Sequence, residues 1–151
     1  MITNERQYRI TKAEVQRFER ALTHGDEQSA HLYPRLRQAM HEGLESQLAE
    51  LREQLAEYEA LRNGQITVLE FHSLTELPDA FIRARTASGM TQKELAARLG
   101  IKEQQVQRYE ATRYAGASLA RMQAVAEALG VTIHERVTLP TARGDDAQRT
   151  D

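Results

Sequence analysis

The 151-residue sequence contains no cysteine and no tryptophan, and aromatic residues make up only 5% of it. Without cysteine the chain has no disulfide framework, no thiolate ligand for a metal and no cysteine nucleophile. No stretch approaches about 18 uninterrupted apolar residues, so we expect no membrane-spanning helix. The first six residues lack the apolar core of a secretory signal. These absences predict a cytoplasmic protein that does not bind a membrane.

Charge is distributed unevenly along the chain. The whole chain has a net charge of −2, which excludes a histone-like, polybasic mode of nucleic-acid binding. The net charge is −2 over residues 1–64, −2 over 65–76, +3 over 77–130 and −1 over 131–151. The segment 77–130 is therefore the candidate for contact with nucleic acid. Many Ala, Leu, Glu, Arg and Gln residues and few aromatics predict a mainly α fold.

The N-terminal region 1–64 has the pattern of two helices. Thr11 and Glu14 have the spacing of a capping box, which predicts a helix start at Thr11. The apolar residues that follow fall on one helical face. They are Val15, Phe18 and Leu22. We expect this helix to end at 24–26 and the next one to open at Pro34, whose fixed φ suits a first helical turn.

The second of these helices contains a leucine-rich seam, which ends at the C-cap signal of Asn63 and Gly64. Its residues are spaced 4, 3, 4 and 3 apart, as in a coiled coil. They are Leu44, Leu48, Leu51, Leu55 and Tyr58. The seam is either a dimerisation or partner-binding interface, or the inner side of a hairpin that covers the first helix of the same chain. Both alternatives hold if the hairpin contact and the partner contact use different faces of this helix.

Two short segments on either side of 77–130 favour strands. Residues 66–71, within the linker 65–76, and residues 131–139 are rich in β-branched and apolar side chains. We predict that they pair, within one chain or across a dimer, because a lone edge strand leaves backbone donors unpaired. The polar tail 140–151 shows no periodicity and is predicted to be disordered.

The segment 77–130 has the sequence of a helix-turn-helix. Gly89 ends one helix, and Thr91 with Glu94 forms the capping box of the next. Leu95, Ala96 and Leu99 form its apolar face, and Ala96 is small enough for two helices to cross closely. Gly100 suits the left-handed conformation of a tight turn, which Ile101 covers.

The helix that follows this turn has an amide-rich outer side. Val106 and Tyr109 lie on its inner side, and the remaining residues are polar. These polar residues are Lys102, Glu103, Gln104, Gln105, Gln107 and Arg108. Amides pair bidentately with adenine and arginine with guanine, so this composition suits the base edges of DNA.

The order of residues in 78–130 resembles the XRE family of lambda-repressor/Cro-like helix-turn-helix domains. The matching residues are Gly89, Thr91, Gln92, Leu95, Ala96, Gly100, Ile101, Val106, Arg108, Tyr109, Glu110, Leu119, Val125, Ala126, Ala128, Leu129, Gly130 and Val131. The resemblance implies a five-helix domain with helices at 78–88, 91–99, 102–111 and 118–129, of which the third contacts the bases.

The resemblance also implies roles for single residues. Gln104, Gln105 and Arg108 are expected at base edges in the major groove. The expected phosphate ligands are Gln92, Lys93, Lys102, Arg113 and Tyr114. Glu103 is able to accept from a cytosine amine but repels phosphates, and Gln107 completes the polar side of the helix. Arg85 and Glu110 are expected to form a buried, structural ion pair.

The sequence contains no recognisable catalytic motif. Its five histidines are scattered, no Gly-rich phosphate loop or nucleophile elbow occurs, and no cysteine completes a zinc site. The carboxylates of 42–59 have the spacing of a solvated helical face. We therefore expect neither an enzyme nor a bound metal or cofactor.

These patterns lead to two functional hypotheses. The first is a sequence-specific DNA-binding repressor that acts as a homodimer on a near-palindromic operator in double-stranded DNA, associated with the nucleoid when bound. Small XRE proteins with an extra domain resemble HigA-like antitoxins, which implies autoregulation and a toxin partner bound through 1–64. The second is an interaction adaptor that uses the helix-turn-helix without binding DNA.

Overall fold

The computed structural model of the protein describes residues 1–28 and 32–139, and this part of the chain is helical. It contains six α-helices and one 3-10 turn. They are α1 (Glu5–Gln28), α2 (Pro34–Arg62), the 3-10 turn (Leu74–Glu76), α3 (Leu77–Ala87), α4 (Gln92–Leu99), α5 (Glu103–Ala111) and α6 (Leu119–Leu129). The predicted mainly α fold is confirmed. The tail 140–151, predicted to be disordered, lies outside the described residues.

Helix α1 is longer than the sequence pattern predicts. It begins at Glu5, because Asn4 caps it: the Gln7 N–H donates to Asn4 Oδ1 at 2.9 Å. The capping-box spacing at Thr11 therefore falls in the helix interior, and the predicted start there is wrong. The predicted end at 24–26 is also wrong, since the helix continues to Gln28. A single glycine costs a helix only about 1 kcal/mol, too little to end this one.

Helix α2 has the predicted bounds and lies antiparallel to α1. It opens at Pro34 and is closed by Asn63, after which Gly64 takes a φ of +70°. The Tyr8 ring stacks on the Tyr58 ring at 5.0 Å, and further along the pair Arg52 contacts Glu19 at 2.6 Å. The first contact pairs the start of α1 with the end of α2, and the second pairs a later part of α1 with an earlier part of α2, which establishes an antiparallel helical hairpin.

The leucine seam of α2 lies within this hairpin rather than on a free surface. Leu48 and Tyr58 are buried, and Leu44, Leu51 and Leu55 are half-buried. On α1, Val15 is buried, and Phe18 and Leu22 are half-buried. The in-chain alternative therefore accounts for the buried Leu48 and Tyr58. A dimer or partner interface through the half-buried Leu44, Leu51 and Leu55 stays a prediction.

Helices α3 to α6 enclose two adjoining apolar clusters. In one cluster, Phe81 of α3 packs with Tyr114, from the loop that follows α5, and with Val125 of α6. The other contains Leu95 and Val106, which join α4 to α5. The predicted five-helix domain is wrong for the described residues, which contain four helices here: Gly130 closes α6 in the left-handed conformation, and β-branched residues follow it.

The two predicted strands are absent from the described residues. Residues 66–71 and 131–139 are irregular, so the predicted pairing is wrong for the chain as described. The Gln65 and Ile66 N–H groups both donate to the Ala60 carbonyl, which ties the first segment to the end of α2. Phe71 and Ile133 pack separately against the helical core. Packing on helices has outweighed β-propensity, which depends strongly on context.

The hairpin is attached to the second group of helices through α2 and α3. Arg83 of α3 lies 2.8 Å from Glu57 of α2. Gly89, which has a φ of +70°, leaves space for the Arg62 guanidinium where another residue would place its Cβ.

In the part of the chain that the structure describes, none of the helices combines the length and apolar character needed to span a bilayer.

A buried ion pair joins α3 to α5. Arg85 donates through Nε to Glu110 Oε1 at 2.5 Å and through Nη2 to Glu110 Oε2 at 2.8 Å. Both side chains are almost completely buried, at 2% and 5% exposed. The Arg85 Nη1 group donates to the Met90 carbonyl at 2.9 Å, which also fixes the chain just before α4.

Removing one partner of this pair is expected to be costly. Arg85→Met or Glu110→Leu leaves an uncompensated buried charge, which lowers the free energy of unfolding by about 3–5 kcal/mol. The double variant removes both charges and is expected to recover most of that loss. Urea unfolding followed by circular dichroism measures both.

The exposed pair of Arg17 and Glu14 provides the matched control, with side chains 73% and 39% exposed. Arg17→Met is expected to change stability by less than about 1 kcal/mol. If the double variant Arg85→Met/Glu110→Leu lost as much free energy of unfolding as the two single variants added together, the two charges would not be stabilising each other.

Candidate nucleic-acid interface

Helix α4 begins with a complete capping box. The Glu94 N–H donates to Thr91 Oγ1 at 3.1 Å, and the Thr91 N–H donates to Glu94 Oε2 at 2.7 Å. The backbone and hydroxyl hydrogen bonds from Thr91 hold the pKa of the Glu94 carboxyl below its usual range. The predicted capping box is confirmed, and it fixes the residue at which α4 starts.

The turn between α4 and α5 has the geometry that its sequence predicts. Gly100 takes a φ of +65°, and the Ile101 N–H donates to the Ala96 carbonyl at 3.0 Å. Ala96 is 2% exposed, at the crossing of the two helices. The short turn and small crossing residue fix the tilt of α5 against α4.

Helix α5 directs its apolar side inward and its amide-rich side outward. Val106 is 1% exposed, and Glu110 is buried in its ion pair. Gln104, Gln107 and Arg108 are exposed on the opposite side. An outward row of amide and guanidinium groups is therefore free to meet a macromolecular surface.

The exposed polar side chains of α5 differ in how they are engaged. The Lys102 N–H donates to Gln105 Oε1 at 3.1 Å, so Gln105 closes the first turn of the helix. Gln107 Nε2 donates to Glu103 Oε1 at 3.2 Å. Within the described residues, the Gln104 side chain and the Arg108 guanidinium form neither a hydrogen bond nor an ion pair. These two are the best placed to contact base edges.

The N-terminus of α4 presents a second polar group. Gln92 is half-buried, and its Nε2 donates to Glu110 Oε2 at 2.7 Å. Lys93, next to it, is exposed. The first N–H groups of a helix lack intrahelical acceptors and favour anions. Gln92 thus combines a side chain held by the buried ion pair with a backbone end suited to phosphate.

In the loop after α5, Arg113 and Tyr114, which the sequence analysis both assigned to phosphate contacts, lie in different environments. Arg113 is exposed and contacts Asp79 of α3 at 3.2 Å. Tyr114 is only 4% exposed; it stacks on Tyr109 and meets Phe81 edge-on. Burial raises the pKa of the Tyr114 hydroxyl. The prediction that Tyr114 contacts phosphate is therefore wrong, because this residue belongs to the core.

Sequence patterns did not show what holds Arg113. Asp79 lies 34 positions away on another helix, and no local spacing indicates the pair. Both Arg113 and Tyr114 have positive φ values, +49° and +55°, although neither is glycine or asparagine. This backbone conformation turns Tyr114 inward while Arg113 stays at the surface.

The histidine and acidic side chains of the described residues are dispersed. Across 1–28 and 32–139, no group of three His, Asp or Glu side chains converges as a metal-binding set. The carboxylates nearest the interface are engaged by hydrogen bonds: Glu94 in its capping box, Glu103 with Gln107, and Glu110 in its ion pair.

Comparison with known proteins assigns one part of the chain. A family model described as helix-turn-helix matches residues 82–136, which cover most of α3, all of α4 to α6 and part of the segment that follows. No curated protein and no solved structure matches the chain. The hairpin of α1 and α2 lies outside the matched residues. Residues 82–136 are therefore similar to the helix-turn-helix domains of the XRE family.

Proposed function

We propose that the chain is a transcriptional repressor that binds specific DNA sequences through α5. The observation that supports this most directly is the exposed amide and guanidinium side of α5, with Gln104 and Arg108 uncommitted within the described residues. Glutamine and arginine form bidentate pairs with adenine and guanine. The tilt of α5 is fixed by the turn at Gly100, so the helix that carries these side chains meets the groove in one orientation.

Phosphate contacts flank this row of base-contacting groups. Gln92 and the first backbone N–H groups of α4 provide one anchor. Lys93 and Lys102, both exposed, provide positive charge at the starts of α4 and α5. Arg113 provides another, with guanidinium donors beyond the one that contacts Asp79. Phosphate contacts set the register of the protein on the duplex, and base contacts select the sequence.

The protein acts as a homodimer in this proposal. Each chain offers a single recognition helix, whereas a dimer places two in successive major grooves, about 34 Å apart. The operator is then near-palindromic, because the protein is two-fold symmetric. A bound dimer blocks access to a promoter by occupying it.

The finer proposal is an autoregulating antitoxin that binds its toxin through residues 1–64. Leu36 and Met40 lie one turn apart on α2, are 50% and 49% exposed, and are the apolar side chains of α2 that a toxin would cover. The hairpin is also fixed to the DNA-binding domain through α2 and α3. A toxin bound there would adjoin the helices that contact DNA.

One observation favours the alternative of an interaction adaptor. Glu103 is exposed in the first turn of α5, where a carboxylate repels the phosphates on either side of a major groove. An adaptor would use the same polar side to bind a protein. The two functions differ in whether binding to duplex DNA depends on base sequence.

Substitution of the two uncommitted side chains tests base recognition. Gln104→Ala and Arg108→Ala are each expected to reduce discrimination between operator and random duplex by about 1–3 kcal/mol, since each removes a bidentate contact. Fluorescence anisotropy with both duplexes measures the difference. Gln123→Ala on α6 and Arg9→Ala on α1 are the matched exposed controls and should leave discrimination unchanged. Equal binding of the wild-type protein to both duplexes would exclude base recognition by α5.

Salt dependence tests the phosphate contacts. Lys102→Ala is expected to reduce the slope of log affinity against log salt by about 0.9, because one fewer counterion is released. Gln104→Ala should weaken binding without changing that slope, since the amide is uncharged. Lys12→Ala, on the exposed side of the hairpin, is the control. A slope that is flat in the wild-type protein would contradict contacts from Lys93, Lys102 and Arg113.

Autoregulation and dimerisation are tested together on the DNA upstream of the chain's own gene. A gel shift is expected with this DNA and not with a scrambled duplex. Footprinting of the bound DNA is expected to show two protected half-sites about one helical turn apart. Light scattering on the free protein should give twice the 17.2 kDa mass of one chain. A protein that is monomeric both in solution and on DNA would contradict the symmetric operator. Phosphate contacts are strong at about 50 mM salt, so the absence of a gel shift at that concentration would favour the adaptor.

A further inference from the structure

The residues that precede α1 lie against the DNA-binding domain. Ile2 is 4% exposed, although it stands before the first helix. The carbonyl of the next residue, Thr3, accepts a hydrogen bond at 3.1 Å from Nη2 of Arg85, which is 82 positions away. A buried isoleucine and a hydrogen bond to α3 fix this segment in place.

Thr3 completes the hydrogen bonding of the Arg85 guanidinium. Nε and Nη2 donate to Glu110, and Nη1 donates to the Met90 carbonyl. The second hydrogen of Nη2 has the Thr3 carbonyl as its acceptor. The Arg85 side chain is only 2% exposed while the segment is in place. If the segment moved away, the fixed Thr3 carbonyl would be replaced by mobile water, and the guanidinium would lose one of the contacts that hold its position.

A shift of the guanidinium reaches the N-terminus of α4 through one carboxylate oxygen. Glu110 Oε2 accepts from Arg85 Nη2 at 2.8 Å and from Gln92 Nε2 at 2.7 Å. The position of this oxygen therefore sets the position of the Gln92 amide. A continuous series of hydrogen bonds runs from Thr3 through Arg85 and Glu110 to Gln92.

We propose that Ile2 and the Thr3 carbonyl are positioning groups for Gln92, and that they hold its amide ready for a DNA phosphate. The inference rests on the proposed function only in taking phosphate as the ligand of Gln92. Ile2 supplies the apolar anchor, and the Thr3 carbonyl supplies the contact to Arg85. Neither group touches the DNA itself.

The anchor is also joined to α1. The Thr3 N–H and the Thr3 hydroxyl both donate to Gln7 Oε1, at 2.8 and 2.9 Å. Asn4 caps the same helix. A movement of α1 relative to α3 would therefore pull on the Thr3 carbonyl. Through this segment, the hairpin and the phosphate contact at α4 are physically coupled.

A double-mutant cycle in the full chain tests the proposal. Ile2→Ala, Gln92→Ala and the double variant are titrated into a duplex selected from random sequences by the wild-type protein. Each single variant is expected to weaken binding about 3–10-fold, as for the loss of one hydrogen bond. The double variant should be no weaker than Gln92→Ala alone, because Ile2 acts through Gln92. Ile10→Ala on α1, where Ile10 is 56% exposed, is the matched control and should bind like wild type.

The slope against salt provides a second readout. It should be unchanged in Ile2→Ala, because Gln92 is uncharged and releases no counterion. Additive effects of Ile2→Ala and Gln92→Ala would overturn the proposal, as would an effect of Gln92→Ala that Ile2→Ala does not share. If Ile2→Ala lowers Tm too far to keep the chain folded, Ile2→Val replaces it, with a smaller loss expected in the same cycle.

A measurement without DNA separates this inference from the proposed function. In NMR spectra of the ¹⁵N-labelled full chain, Ile2→Ala is expected to shift the Gln92 side-chain amide and the Arg85 Nε–H resonances, whereas Ile10→Ala should not. Unchanged Gln92 resonances in Ile2→Ala would overturn the inference even if the protein binds its operator. A wild-type protein that binds no duplex, with the Gln92 shift present, would overturn the proposed function and leave the positioning by Ile2 and Thr3 supported.

Discussion

The buried ion pair between Arg85 and Glu110 is the interaction on which the rest of the structure depends. It joins α3 to α5, fixes the Met90 carbonyl before α4 and accepts the Gln92 amide. A buried charge is tolerated only when it is paired and its remaining donors are satisfied, and here each partner meets that condition for the other. Because Glu110 and Val106 commit the inner side of α5, only its opposite side remains for binding.

Recognition by α5 requires a fixed tilt as much as suitable side chains. The capping box at Thr91 sets where α4 begins, and Gly100 sets where it ends. The small Ala96 lets the helices approach, and Ile101 closes the turn through its bond to the Ala96 carbonyl. Each device is weak by itself, but together they leave α5 one orientation. A helix held in this way loses little backbone freedom when it enters a groove, so the side-chain rotamers are the main part left to order on binding.

Local chemistry made much of this domain predictable, and long-range packing limited the rest. Capping boxes, left-handed glycines and a proline at a helix start act over three or four residues, so the bounds of α2, α4 and α5 followed closely from the sequence. The start of α1 did not, because Asn4 caps the helix before the capping-box spacing at Thr11 is reached. The prediction of two strands was wrong because Phe71 and Ile133 pack against helices. The prediction of a phosphate contact for Tyr114 was wrong because its positive φ directs the side chain into the core. No local spacing indicated that Asp79 would hold Arg113 or that Thr3 would meet Arg85.

The attachment of the hairpin bears on how any signal from it would reach DNA. Arg83 contacts Glu57, Arg62 fills the space beside Gly89, and Thr3 meets Arg85. These three contacts come from one end of the hairpin, formed by the end of α2 and the segment before α1, and they converge on α3 and the turn before α4. A freely linked module would affect DNA binding only by its bulk or charge. A module held at these points acts on the position of α4 itself, because α3 and that turn carry the ion pair that holds Gln92. The hairpin is therefore joined mechanically to α3 and to the start of α4, and under the proposed function a partner bound to it would act on the position of Gln92.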